Sequence, residues 1–496
     1  MNEIIIDAGL NQNRVAILED DDLTEIYHEI KDNKKIQGNI YKGRVVNVLP
    51  GMQAAFVNIG LSKNAFLYVK DALTKEMIDN NIDYKDISIK NLVKQGQEII
   101  VQVIKEPYGT KGARVTTHIT LPGRYLVLMP YSNYIGISRR ITDEKERDRL
   151  RSIAEEIKPS NMGVILRTVS KDISEKDLIG DLNFLLKIFH KIEKKKNVGT
   201  VPRIVHKDLD LIQRTVRDLF NKNIDKLLIN NKEKYNDIIE LSEMISSTLK
   251  SRIELYNGDN DIFKEYGIEG MIKKALERKV WLKSGGYIVV DETEALTSID
   301  VNTGKFVGSI NLKDTVLKTN VEAAKEIAKQ LKLRNIGGII IIDFIDMFNK
   351  EDQDNLIHIF KKELKKDRTK TTVLGITHLG LLEMTRKKNR KKLSSRLLME
   401  CPCCNGTGNI QSYNKVITKI EKEIKRIKNH TNSEAILYEL NSYMLDNIKE
   451  NYQDNIDNIE KNYDIKIFLK ENSDLKLDQI INRKMGSISE INDIMK

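Results

Sequence analysis

Apolar and polar positions follow several rhythms along this chain, and the changes of rhythm divide it into segments. Residues 1–35 hold two short apolar runs, 4–6 and 14–18, with a Gly9/Asn11 turn between them. Two strands of that size cannot bury their own face, so they are expected to complete a sheet formed elsewhere. Residues 36–118 then alternate with a period of two in five short runs, at 39–48, 54–60, 64–68, 97–104 and 111–117. Five short strands in so few residues predict a small OB-type β-barrel. Residues 119–212 mix strands near 123–129, 136–140 and 163–168 with a charged amphipathic helix over 142–157. Residues 213–279 read as mostly helical scaffold without recognisable chemistry.

The densest signal lies in 280–398. A strand over 296–302 ends in Asp300 and Asn302, and a Gly-Gly-Ile-Ile-Ile-Ile run ends in Asp343 with Asp346 just beyond. Side chains alternate faces in a strand, so Asp300 and Asn302 should point the same way. The four-isoleucine run predicts a strand buried on both faces. A helical pattern over 313–333 joins the two, which is the strand–helix–strand grammar of a parallel sheet. Such a pair presents its carboxylates at one sheet edge, where α/β proteins place ligands. Two carboxylates and an amide oxygen suit Mg²⁺. Around this unit the spacing predicts a strand pair over 281–291 with a Gly285-Gly286 turn, a helix over 351–366 and a strand over 371–376. The basic run 387–392 follows, either a solvated face or a polyanion contact.

Composition adds limits. The 496 residues suffice for several domains, and the net charge of +10 is a mild excess whose placement matters more than its size. The amino terminus carries Glu3 and Asp7 in place of the basic start of a signal peptide, and no apolar run reaches the roughly 18 residues of a membrane span. A soluble cytoplasmic protein is the expectation. The three cysteines, Cys401, Cys403 and Cys404, are clustered, which excludes a disulfide framework. Cys401 and Cys404 in a Cys-x-x-Cys followed by glycines form half of a zinc site. Two more thiolates from a second copy would complete it, giving a metal shared across a homo-oligomer. A redox pair or inert thiols are the alternatives.

Within the barrel, Phe56 and Phe66 are candidates to stack on bases and Lys111 to meet a phosphate. The alternative is that both rings fill the barrel core. Arg167 with Thr168 ends a predicted strand, and a guanidinium fork beside a hydroxyl can hold a phosphate. An ordinary surface arginine is the alternative.

Several blocks together resemble the ribonuclease E/G family. They are Ser298-Ile-Asp300-Val-Asn302, the run from Gly337 through Asp343 to Met347, Gly380-Leu-Leu-Glu-Met-Thr-Arg386, and Cys401-Pro-Cys-Cys404-Asn-Gly-Thr-Gly408. Ala54-Ala-Phe56-Val and Leu126-Val-Leu-Met-Pro130 belong to the same series. Their order covers nearly the whole chain, least clearly after residue 413, and without a long C-terminal scaffold the chain is nearer the ribonuclease G-like type. The resemblance implies an endoribonuclease that cuts single-stranded A/U-rich RNA in rRNA processing and mRNA decay, stimulated by a 5′ monophosphate. It also leaves room for other RNA-decay enzymes as partners, and for a dimer or tetramer.

The family's metal aspartates fall on Asp300 and Asp343 rather than Asp346, and its asparagine on Asn302. Its RNA contacts fall on Phe56, Phe66 and Lys111. Its 5′-phosphate pocket falls on Gly123, Val127, Arg139, Arg167 and Thr168, with a further pocket arginine replaced by Lys370, which keeps the charge without the planar fork. Its zinc-sharing pair falls on Cys401 and Cys404, with Cys403 an unusual addition. The fold implied is a multidomain α/β protein. Its parts are a ribonuclease H-like scaffold (1–35 and 213–279) with an inserted OB-type barrel (36–118), a phosphate-sensing region (119–212), a metal-dependent nuclease domain (280–398), a zinc link (399–412) and a helical C-terminal assembly domain (413–496). Two rivals remain: a non-catalytic RNA-binding protein, against which intact Asp300, Asn302 and Asp343 argue, and a protein whose main role is assembly.

Overall fold

The structure is a computed structural model that describes every residue except 31–34, 75, 78–82, 84–86, 108–110, 222, 246, 305–311, 348 and 496. It falls into two units, Met1–Leu393 and Ser394–Lys496.

In the first unit the strands Asn2–Ala8, Gln12–Glu19 and Asp22–Ile30 form an antiparallel meander. The first strand also pairs in parallel with Lys226–Ile229, which pairs in parallel with Ile253–Leu255. The N-terminal strands therefore do complete a sheet supplied from far along the chain. Residues 213–279 are mostly helical, as expected, and add these two short strands: the apolar run Leu227, Leu228, Ile229 is too short for a helical period and is claimed by the strand beside it. Alternation sends the three N-terminal isoleucines to two cores. Ile4 and Ile6 pack with Val216, Phe220 and Ile238 beneath the helices Leu211–Asp218 and Lys232–Ile245. Ile5 packs on the other face with Phe263, Ile268 and Ile272.

The barrel is closed. Strands Ile40–Leu49, Ala54–Asn58, Ala65–Tyr68, Arg114–Thr116 and Glu98–Lys105 are neighbours in that order, and the last pairs back onto the first. Its interior is filled by small and branched side chains, among them Val45, Ala55, Val57, Leu67 and Val115. A four-stranded sheet follows, in the order Ile135–Ile137, Gly163–Leu166, Leu126–Met129, Leu121–Pro122, covered by the helices Glu144–Ile157 and Glu175–Lys196.

The last sheet of this unit runs in the order Lys279–Trp281, Tyr287–Glu292, Leu296–Asn302, Gly338–Asp343, Leu381–Arg386, Thr371–Ile376. Only the central pair, Leu296–Asn302 with Gly338–Asp343, is parallel. The helix Leu312–Leu333 makes the crossover, and with Lys350–Leu364 it buries one face of the sheet. The expectation of a strand buried on both faces is thus corrected: Ile340 and Ile342 are fully buried, while Ile339 is 51% exposed. Both helices sit on the same side, so alternate isoleucines serve an open face.

The second unit is not the helical domain expected for 413–496. The strand Ala435–Leu440 pairs in parallel with Lys466–Glu471 and antiparallel with Ile480–Gly486. Helices Tyr413–His430, Ser442–Asn451, Gln453–Tyr463 and Ile488–Met495 surround these strands. Ile436, Tyr438 and Leu440 pack against Ile420 and Ile424, whereas Ala435 and Leu437 meet Ile491 on the opposite face. A strand buried on both faces shows no alternation of polarity, which is why its six residues passed as part of a helix. Among the described residues no helix is long and apolar enough to cross a membrane.

Candidate active site

Asp300 and Asp343 lie directly opposite one another in the parallel ladder. Ile299 and Val301 point into the core, so Asp300 and Asn302 share the open face. Asn302 Nδ2 donates to Asp300 Oδ2 at 2.7 Å, which fixes the amide beside the carboxylate. The end of this strand is held by close backbone approach. Gly304 has φ +60, and a Cβ there would sit 2.4 Å from the Gly285 carbonyl oxygen, so the Gly285-Gly286 turn packs directly against it. Asp343 is raised above the usual carboxylate range, by partial burial first and then by the negative charges of Asp300 and Asp346. Two carboxylates that repel each other beside an amide form a donor set that a hard divalent cation fits. Asp346 adds charge from beyond the strand and is not in register with Asp300.

One residue that fixes this site escaped the sequence reading. Asn320, fully buried on the helix Leu312–Leu333, donates from Nδ2 to the Ile345 carbonyl oxygen at 2.8 Å. Its Oδ1 accepts from the Ile345 backbone N–H at 3.1 Å. Both backbone groups of Ile345, one of the two residues between Asp343 and Asp346, are thereby pinned to the core helix. An asparagine inside a long helical pattern gives no such signal from sequence alone. Arg386 is also buried, donating to Asp367 at 2.7 Å and to the Ile336 carbonyl oxygen at 2.7 Å. It ties the start of the Asp343 strand to the loop before Lys370, which is itself exposed.

On the barrel, Phe56 and Phe66 face each other across strands outside the core, which excludes the reading in which they fill it. Their ring centroids are 6.0 Å apart in an edge-to-face arrangement. Tyr68, two residues on and so on the same face, stacks on Phe66 with 6.5 Å between centroids, and Arg114 lies 5.9 Å from the Tyr68 ring. Tyr68 and Arg114 thus extend the aromatic surface, and the period-two spacing from Phe66 would have pointed to Tyr68. Lys111 is exposed in the segment leading to Arg114.

In the neighbouring sheet, Arg167 Nη1 donates to the Gly123 carbonyl oxygen and to Asp218 Oδ1, the latter at 2.8 Å. Burial opposes the charge on Asp218, but Arg217 and Arg167 outweigh it and keep that carboxyl below its usual range. The Gly123 turn is built on Asp181, whose carboxylate accepts the backbone N–H groups of Arg124, Tyr125 and Leu126 at 2.8 to 3.0 Å. Val127 lies on the strand beside the one that leads into Arg167. The Thr168 and Ser138 hydroxyls are 2.8 Å apart, next to exposed Arg139. Gly123, Val127, Arg139, Arg167 and Thr168 are therefore gathered at one end of this sheet. Arg140 donates to the Arg368 carbonyl oxygen at 2.7 Å, linking that end to the loop of Lys370.

In the second unit, Cys401 and Cys403 are exposed and Cys404 half-buried. Cys404 Sγ accepts the Gly408 N–H at 3.2 Å. The Cys401 thiol is lowered by backbone N–H groups of Cys404 and Cys403, whereas Cys403 is raised by the nearby Cys401 charge. Within the turn Cys401 thus favours the thiolate and Cys403 disfavours it. Among the described residues no three His, Cys, Asp or Glu side chains converge as a metal site.

Comparison with known proteins identifies a family. The ribonuclease E/G family matches residues 120–389, and the thioredoxin-like domain of RNase E/G matches residues 400–485. Ribonuclease G of Salmonella typhimurium is 42% identical over 438 residues, spanning 88% of this chain and 90% of its own. Ribonuclease G of Haemophilus influenzae is 43% identical over 88% of this chain and 89% of its own. Ribonuclease E of a Nostoc species is 39% identical over 79% of this chain and 57% of its own. With a family match over more than half its length and relatives of this similarity, the chain belongs to the ribonuclease E/G family.

Proposed function

We propose that this member of the ribonuclease E/G family, an endoribonuclease of RNA processing, hydrolyses single-stranded A/U-rich RNA with Mg²⁺ and favours substrates with a 5′ monophosphate. The observation that carries the reading is the register of Asp300 with Asp343 on an open sheet face, with Asn302 bonded to Asp300. Asp300 and Asp343 would hold the metal, and Asn302 would fix the geometry. When bound, Mg²⁺ supplies an activated water and offsets charge on the phosphoryl oxygens. Asn302 orients the Asp300 carboxylate, and the Asn320 clamp keeps the Asp343 loop in place. Phe56 and Phe66 stack on bases while Lys111 meets a phosphate. Gly123, Val127, Arg139, Arg167 and Thr168 receive the terminal phosphate, with Lys370 contributing charge from the adjoining loop. Cleavage leaves a 5′ phosphate and a 3′ hydroxyl.

Residues 1–35 and 213–279 fit a ribonuclease H-like scaffold, because their shared sheet has an antiparallel meander flanked by two parallel strands. Cys401 and Cys404 share a zinc ion with a second copy, a reading supported by the N–H groups that favour the Cys401 thiolate. A cytoplasmic enzyme acting beside other RNA-decay enzymes completes the reading.

The test is cleavage of a 5′-monophosphorylated A/U-rich oligonucleotide and its 5′-hydroxyl twin, each with Mg²⁺ and with chelator. Cleavage only with Mg²⁺, and faster for the monophosphate, is expected. Equal rates on the twins remove the phosphate preference, and cleavage in chelator removes the metal.

A further inference from the structure

Trp281 is the chain's one tryptophan, and it is 62% exposed on the edge strand Lys279–Trp281 of the sheet that carries Asp300. Val280 packs toward the core, so its neighbours Lys279 and Trp281 stand on the open face. Directly opposed residues put their side chains on the same face, and the register draws two rows across this one. Trp281 stands opposite Tyr287, which stands opposite Asn302. Lys279 stands opposite Val289, then Asp300, then Asp343. At about 4.8 Å per strand spacing, Trp281 is about 10 Å across the sheet from Asn302, and Lys279 is as far from Asp300.

The Trp281 and Tyr287 ring centroids are 5.3 Å apart at 64°. Lys279 Nζ lies 4.0 Å from the Trp281 centroid and 3.5 Å from that of Tyr287. An aromatic pair with an ammonium against it recognises a ligand that offers both a π face and negative charge, as a nucleotide does. The lysine stem is flexible enough to exchange a ring face for a phosphate oxygen. An apolar protein partner would leave the ammonium without a counter-charge, and the rows lead straight to the carboxylates.

We propose that Trp281, Tyr287 and Lys279 form a base-stacking subsite for the single-stranded RNA whose scissile phosphate lies at Asp300 and Asp343. This rests on the nuclease reading above. It adds a second stacking platform, on the catalytic sheet itself, to the aromatic surface of the barrel.

Because Trp281 is the single tryptophan, its emission reports on this subsite alone. The full-length protein is titrated in chelator with a dye-labelled single-stranded A/U-rich oligonucleotide, following dye anisotropy and tryptophan emission together. Emission should fall with the same midpoint as the anisotropy rises. Anisotropy that saturates with emission unchanged overturns the subsite and leaves the RNA-binding reading standing. No rise in anisotropy overturns that reading as well. Emission that instead follows protein concentration without RNA assigns the face to a second copy, and the subsite falls.

A scan of single abasic substitutions along the oligonucleotide supplies a second measurement. One position should weaken binding by about tenfold in the native protein and have no effect in Trp281→Ala, while Trp281→Phe keeps the native response. If every position behaves alike in native protein and Trp281→Ala, the subsite is not there.

Discussion

At the scale of single residues, spacing alone pointed to Asp300 and Asn302, because alternation in a strand puts them on one face, and the structure bonds them together. It left Asp343 and Asp346 competing, and the register places Asp343 opposite Asp300. Asn320 was illegible, since its task is defined by a loop far from it in sequence. That task makes a prediction. Asn320→Ala leaves the N–H and carbonyl of Ile345 without their partner, costing about 1–3 kcal/mol of stability. It should also raise the Mg²⁺ concentration needed for half-maximal cleavage, because the Asp343 loop is no longer pinned. Melting temperature and a Mg²⁺ titration of cleavage check both. A variant that melts lower with an unchanged Mg²⁺ response would make Asn320 merely structural.

At the scale of elements, period-two and helical patterns located the barrel strands, the crossover helix and the strands that end in carboxylates. They failed where a strand is buried on both faces, as at Ala435–Leu440, or too short to show a period, as at Lys226–Ile229. The helix Glu144–Ile157 shows how one element is fastened to the strands and loops around Arg167 and Thr168. Glu146 accepts two bonds from Arg149, both at 2.8 Å, and one from the Asp172 N–H at 3.0 Å, fastening the helix to the loop that follows Thr168. These bonds, that from Arg149 foremost, lower Glu146 from its ordinary 4.5 to about 2. A depressed carboxylate contributes stability that is present above 4.5 and lost as pH falls toward about 2. Glu146→Gln lacks that contribution at every pH. Melting curves of the two proteins should therefore differ near neutrality and converge through that acid window. A gap that stays constant down to the lower limit would show that Glu146 is not held in this way.

At the scale of the whole molecule, the chain combines a closed barrel with a half-buried aromatic face, a sheet end that gathers Arg167 and Thr168, and the sheet of Asp300 and Asp343 with one open face. The net charge of +10 suits a polyanionic substrate without specifying it. The cysteine turn was legible as half of a zinc site, and the second half follows only from counting ligands. If zinc joins two copies, native mass should fall to that of one chain, or from tetramer to dimer, when zinc is chelated; a mass that does not change would leave Cys401 and Cys404 without that role. The central claim concerns the carboxylate pair. It is tested most directly by comparing the native chain with Asp343→Asn for cleavage of a labelled single-stranded A/U-rich oligonucleotide in Mg²⁺, with binding measured alongside. Cleavage abolished with binding retained is the predicted result, and cleavage by Asp343→Asn at the native rate would contradict the account.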